Sequence, residues 1–259
     1  MVTFLIIHPN PKSVSMETKP STTYLISKEE YEAWTGAWEA LKFTTQPFDF
    51  FERNGHLQSA AVLESTFVTY LVSTTGATTI KIRFGFNPLT KSFEIILFGT
   101  DHSGLVLTPY YVPGRKKYFK EVSKSDVALT EGGRVPKELV ETWKNNWKEK
   151  GSTGTITSED FMNAYGFTRG YNYAYKEFIE TLFKSDTTPN VNIVFVLHEY
   201  LAADAASVEE LSNTFGILLE GQKAKDPSTI TSPDDDEDDD DDDSDEDYYD
   251  LSAPCPKTC

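Results

Sequence analysis

His198 and Glu199 follow the apolar run Val191–Leu197, at the C-terminal end of what reads as a buried strand. Groups that do chemistry often sit where a rigid strand hands over to a loop. A histidine and a carboxylate there could exchange protons or bind a metal, and with acids from other segments would form a carboxylate- or metal-dependent hydrolase. The segment HEYLA lacks the second histidine of the H-E-x-x-H zinc motif, and Asp204 joins only if the following loop folds back. A partly buried histidine–carboxylate pair is the plainer reading. Asp101-His102-Ser103 has the letters of a hydrolytic triad, but triad side chains converge from separate segments, so three consecutive residues read as a polar turn. His8 and His56 lie among Pro, Asn and Gly and read as loop residues. There is no nucleophile-elbow G-x-S-x-G, phosphate loop or dinucleotide glycine fingerprint. A pair of separated acids would leave no motif, so a carboxylate hydrolase stays open.

The strongest feature is acidic. Asp234, Asp235, Asp236, Glu237, Asp238, Asp239 and Asp240 open a stretch of thirteen acids in fourteen residues, 234–247, broken only by Ser244. Such a run repels itself and has no apolar surface to bury, which predicts a disordered arm over residues 226–259. It would act as a solubilising arm, a spacer, a competitor for basic surfaces or a weak sponge for divalent cations. The spacing and glycine of an EF-hand are missing, and no cofactor is predicted. Cys255 and Cys259 end the chain as C-P-K-T-C, able to close a small disulfide or offer two soft metal ligands, two fewer than a closed zinc site takes. The basic stretch Arg115–Lys120, with Tyr118 and Phe119 interleaved, could contact phosphate and stack on bases. A formal charge of −17 argues against nucleic acid as a partner, and lysines guarding a strand edge, or a dock for the acidic arm, account for the stretch.

Residues 234–259 carry fourteen acids and one lysine, so the remainder of the chain holds only −4 of the net charge. Strong electrostatics therefore belong to the arm and not to a charged cleft. No cysteine lies in the body, so apolar burial must hold the fold. No stretch approaches the roughly 20 apolar residues of a membrane span, and Val2–Ile7 is too short and lacks the preceding basic residues of an export signal, reading instead as a strand. A cytoplasmic location and no membrane partner are the resulting expectations.

The elements that would position these groups follow from periodicity. Ile80, Ile82, Phe84 and Phe86 alternate with Lys81, Arg83 and Gly85, and Phe93, Ile95 and Leu97 resume the alternation after Asn87-Pro88. That period of two predicts a half-buried antiparallel hairpin over 79–99. Leu105–Thr108 with Tyr110–Val112 predicts a third strand, edged by Pro109. Ser27 and Glu30 have capping-box spacing ahead of the stripe Tyr31, Trp34, Trp38 and Leu41, which predicts a helix with aromatics in the core. Further helices are predicted over 57–73, from Pro136 to a stop at Gly151, from Ser158, over 171–183, and from Ser207 to Gly221. The order helix 57–73, strand 79–86 returns as helix 171–184, strand 191–197, which raises an internal duplication.

The expected fold class is α+β: a mainly antiparallel sheet built around the 79–99 hairpin, packed by amphipathic helices, in one domain over 1–225, with the acidic arm at 226–259. The expected function is non-enzymatic: a protein-binding or assembly protein whose arm tunes contact with a protein partner, a basic one by charge. The hydrolase using His198 and Glu199 and an acidic mimic of nucleic acid are the alternatives. Oligomeric state is not legible.

Overall fold

The computed structural model describes residues 23–53, 56–116, 135–183, 189–201, 207, 211–222, 248–249 and 253–254. The first part runs β1 (Tyr24–Ile26), α1 (Lys28–Ala40), β2 (Glu52–Arg53), β3 (His56–Leu57), β4 (Ala60–Leu63), α2 (Ser65–Val72), β5 (Thr79–Asn87), β6 (Ser92–Thr100), β7 (Tyr110–Val112) and β8 (Gly114–Lys116). The second runs α3 (Lys137–Ser152), β9 (Met162–Asn163), β10 (Gly166–Phe167), β11 (Gly170–Ala174), α4 (Tyr175–Leu182), β12 (Asn190–Leu201), β13 (Leu211–Gln222), β14 (Tyr248–Tyr249) and β15 (Ala253–Pro254). Helices and antiparallel sheets are thus mixed, and no described helix is long and apolar enough to cross a membrane.

Two sheets, not the single expected one, dominate. One has the strand order β1-β7-β6-β5-β11-β15, the other β14-β13-β12-β4-β8. Each is built on a long hairpin, β5–β6 in the first and β12–β13 in the second. Alternate residues of both hairpins share one core: Ile82, Phe84, Phe93 and Ile95 from one, Ile193, Phe195, Phe215 and Ile217 from the other. The remaining residues of each hairpin face outward beneath a helix. Trp34 of α1 packs with Ile96 and Phe98, and Val140 of α3 packs with Val194, Val196 and Leu218. The 79–99 hairpin is therefore covered on both faces, which is why Arg83 and Glu94 on its polar side are also buried.

The capping box of α1 forms as its spacing predicts. Ser27 Oγ accepts from the Glu30 amide at 3.1 Å, and Glu30 accepts from the Ser27 amide at 2.9 Å. Trp34 and Trp38 are both buried. Elsewhere tertiary pairing overrides helical spacing. The first part of the expected 57–73 helix is β4, which pairs with β12, and only Ser65–Val72 is helical. The expected 171–183 helix likewise begins as β11, paired with β5. Ser158 opens a short 3-10 turn and then the small β9–β10 hairpin.

The largest difference is the expected helix from Ser207. Leu211, Phe215 and Leu218 have helical spacing, but Phe215, Ile217 and Leu219 also alternate, and Leu211–Gln222 pairs with β12 over twelve residues. The strand buries Phe215, Ile217 and Leu219 in the common core while Leu218 goes under α3. A helix could bury only one stripe, so the arrangement with two covered faces prevails. Gly151 does not stop α3 but lies within it, and a Cβ there would fall 2.2 Å from Leu57 Cδ2. The third strand is confined to Tyr110–Val112, with Val106 making one bridge to Thr100.

The expected strand at Val2–Ile7 lies outside the described residues. Of the expected arm, Tyr248–Tyr249 pairs with β13 and Ala253–Pro254 with β11. The chain beyond the acidic run therefore returns to an edge of each sheet.

Candidate functional site

β12 carries both His198 and Glu199. Neighbouring strand residues project to opposite faces, so these two do not share a site. His198 lies on the face covered by α3, its ring centroid 4.2 Å from that of Trp143 and edge-on to it. On its other side is Gly216 of β13, where a Cβ would fall 2.0 Å from His198 Nε2. The imidazole thus occupies the space that a missing side chain leaves. Glu199 is exposed. Gly216→Ala is expected to cost about 1–2 kcal/mol by overpacking, and His198→Ala in the same chain to restore most of it. Urea midpoints of the two single variants and the double variant check this. An imidazole held by other contacts would give additive losses instead.

Asp101, His102 and Ser103 form a local turn. Asp101 Oδ1 accepts from the Ser103 hydroxyl at 2.7 Å, the Ser103 amide at 2.8 Å and the Leu105 amide at 2.9 Å. The Ser103 hydroxyl, with the Leu105 and Ser103 amides, holds the Asp101 carboxyl below its ordinary range against the opposing effect of burial. Its hydrogen bonds run to its own turn rather than to His102.

Of the buried acids among the described residues, Asp160 lies in the 3-10 turn, where it accepts from the Thr157 amide at 2.8 Å and pairs with Lys150 Nζ at 3.1 Å, and the other two are divided between the sheets. Glu94 on β6 accepts from Ser92 Oγ at 2.9 Å. Glu220 on β13 accepts from Asn192 Nδ2 at 3.1 Å. Glu94 shares the outward face of Ile96 and Phe98, and Glu220 that of Leu218, so both layers of sheet lie between them. They do not make the facing carboxylates that glycoside or proton-transfer chemistry needs. Arg83 is buried too, donating to the carbonyls of Ile82 and Tyr171 and to Asn172 Oδ1 at 2.9–3.0 Å. It ties β5 to β11.

Glu39 at the end of α1 accepts from Lys42 Nζ at 2.7 Å and from the Arg169 guanidinium at 2.7 Å. Burial pushes its carboxyl up, and the hydrogen bonds from Arg169 and Lys42 together outweigh this and hold it below the ordinary value. This clamp fastens α1 to the strand-entry segment before β11. A cavity of about 80 Å³ lies beside Phe48, Leu57, Gly151 and Ile156, well short of the roughly 300 Å³ at which ligand pockets begin. No group of three or more His, Cys, Asp or Glu side chains gathers among the described residues.

The acidic residues Asp234, Asp235, Asp236, Glu237, Asp238, Asp239 and Asp240, with Cys255 and Cys259, lie outside the described residues. Their flanks are described. β13 ends at Gln222, and β14 returns antiparallel to it with Leu219 opposite Tyr249 and Glu220 opposite Tyr248. After three more residues β15 pairs with β11, Asn172 opposite Ala253. The 25-residue connection 223–247 is therefore held at both ends on strand β13. Sequence reading missed these anchors, although Tyr248-Tyr249 repeats the Tyr110-Tyr111 of β7. Of the basic stretch, Gly114–Lys116 forms β8 on the edge strand beside β4, and 117–120 lie outside the described residues.

Exposed apolar side chains collect where β12–β13 runs past its neighbours. Tyr200, Leu201 and Leu211 are exposed there. Met162, also exposed, is tied to the same strand by the Thr214 hydroxyl, which donates to its carbonyl at 2.9 Å. No family model matches the chain, and neither a curated protein nor a solved structure matches it.

Proposed function

We propose that this protein is a non-enzymatic binding or assembly protein that presents a polyanionic segment to a basic protein partner. The observation that carries this reading is the pairing of β14 with β13 and of β15 with β11, which bounds the acidic connection on both sides. A connection whose flanking residues, Gln222 and Tyr248, both belong to strands of one sheet has its two ends tied to that sheet. That raises the local density of carboxylates a basic surface meets, and it costs less chain entropy on binding than a free arm would. The exposed Tyr200, Leu201 and Leu211 offer an apolar contact near the other end of the same hairpin. Aromatic and aliphatic anchors of this kind supplement charge at protein interfaces. The hydrolase reading draws no support from His198 and Glu199, which face opposite ways.

The test is titration with an oligolysine peptide. Binding is expected to weaken about tenfold or more between about 0.1 and 1 M salt, as the screening length shrinks from about 10 to about 3 Å. Changing Asp234, Asp235, Asp236, Glu237, Asp238, Asp239 and Asp240 to their amides should weaken it at low salt while leaving the circular dichroism unchanged. Binding that ignores both salt and these substitutions would overturn the proposal.

A further inference from the structure

Apart from β1 and a 3-10 turn at Leu41–Phe43 that continues α1, both found only in the first part, the two parts of the chain repeat one order of elements among the described residues: helix, 3-10 turn, small hairpin, short strand, short helix, long hairpin, then two edge strands. The four tryptophans of the chain fall at matching places, Trp34 and Trp38 on α1, Trp143 and Trp147 on α3, each pair preceded by a glutamate two residues earlier. Phe51 and Phe161 end the matching 3-10 turns, and Phe84 and Phe195 sit at matching places in β5 and β12.

The contacts between the parts are reciprocal. Trp38 Nε1 donates to the Thr168 carbonyl at 2.9 Å, and Trp147 Nε1 donates to the Gln58 carbonyl at 3.0 Å. The Phe84 amide donates to the Arg169 carbonyl at 2.9 Å, and the Phe195 amide to the Ser59 carbonyl at 2.8 Å. Each partner in one bond is displaced by 109 to 111 residues from its counterpart in the other. The short strands are exchanged as well. β4 of the first part pairs with β12 of the second, Leu63 opposite Val191, and β11 of the second pairs with β5 of the first, Tyr173 opposite Ile80. Within each half the edge pairings also correspond: Tyr111 lies opposite Leu97 and Tyr249 opposite Leu219. Independent hydrogen bonds and strand registers that all map onto one another by a single exchange are the signature of a two-fold relation between like units.

We infer that the chain is a fused dimer: residues 23–116 and 135–254 are two copies of one folding unit, and the surface by which each grips the other also fits the matching half of a second copy of this chain. The halves are joined only through residues 117–134. The tryptophan and phenylalanine bonds and the β4–β12 and β11–β5 ladders link one half to the other, so each can form between two chains with unchanged geometry, while the edge pairings β7–β6 and β14–β13 stay within their own half. What favours the closed monomer is the high effective concentration that the connection imposes. On this view the acidic run is an insertion. It occupies, in the second unit, the place held in the first by residues 101–109 between β6 and β7.

The experiment unfolds the full chain in denaturant and refolds it at increasing protein concentration. Size-exclusion chromatography with light scattering follows the products. The expected result is a dimer whose share grows with concentration, with the circular dichroism of the monomer. It should persist for hours after dilution, because release requires the halves to part. Cutting the 117–134 connection to a few residues should shift the population towards dimer severalfold. If the full chain refolds only to monomer at every concentration, or gives a dimer that separates at once on dilution, the inference is overturned. The full-chain result decides alone if the shortened chain does not fold.

Discussion

Replacing Phe215 with Ala is expected to lower the unfolding free energy by about 3–5 kcal/mol, the range for deleting a fully buried aromatic ring. Phe215 has no solvent exposure. Its ring lies 4.7 Å from Phe161, 5.0 Å from Trp147, 5.5 Å from Phe84 and from Phe195, 6.0 Å from Phe93 and 6.3 Å from Phe51. Those six rings come from both sheets, from α3 and from the 3-10 turns at Asp49–Phe51 and Ser158–Phe161. Removing Phe215 opens a void that none of them can fill without leaving its own place, because each is braced by the others. Phe215→Leu keeps most of the volume and should cost about 1 kcal/mol. Chemical denaturation of both variants gives the comparison. A loss below about 1 kcal/mol for the alanine variant would mean that the two sheets do not share one core.

Truncation after residue 225 is expected to destabilise the body by about 2–4 kcal/mol, counting a few lost ladder hydrogen bonds at about 1 kcal/mol each. For a chain of this size that lowers the melting temperature by about 5–15 °C. It removes β14 from β13 and β15 from β11, and so bares an edge of each sheet. Replacing only 226–247 with a short Gly/Ser connection leaves both strands in place and should leave the melting temperature nearly unchanged. Thermal unfolding of the two variants side by side separates the contribution of the returning strands from that of the acidic run. Equal stability of both would show that the chain after residue 225 adds nothing to the fold.

The long hairpin 79–99 and the α1 helix were legible because each carries a complete local signal, alternation with a turn in one and a capping box with an apolar stripe in the other. β13 was not. Its spacing satisfies helix and strand equally, and the choice is made by β12, which lies beside it only in the folded chain. β4 and β11 were lost for the same reason. Each is short, runs straight into a helix, and is held by a strand more than eighty residues away. The buried state of Arg83 and Glu94 depends on α1 lying over the outward face, which no window along β5 or β6 can reveal. The neighbours of His198 are equally distant in sequence. Trp143 and Gly216 come from separate elements, so His198 and Glu199 together look like a reactive pair until the strand sends them apart. The acidic run itself was plain, but its attachment rests on four backbone-paired residues that carry no composition signal beyond a repeated Tyr-Tyr.

The exchange of β4 and β11 bears on how the chain is made. On the ribosome, β4 leaves the exit tunnel long before β12, its partner from residue 191 to 194, has been synthesised. At about 5–20 residues per second, the 128 residues from Leu63 to Val191 take several seconds or more to elongate. Throughout that interval β4 is without the strand it pairs with in the complete chain. Polysomes translating this message would bring many such strands together, each ready to take the strand meant for its own successor.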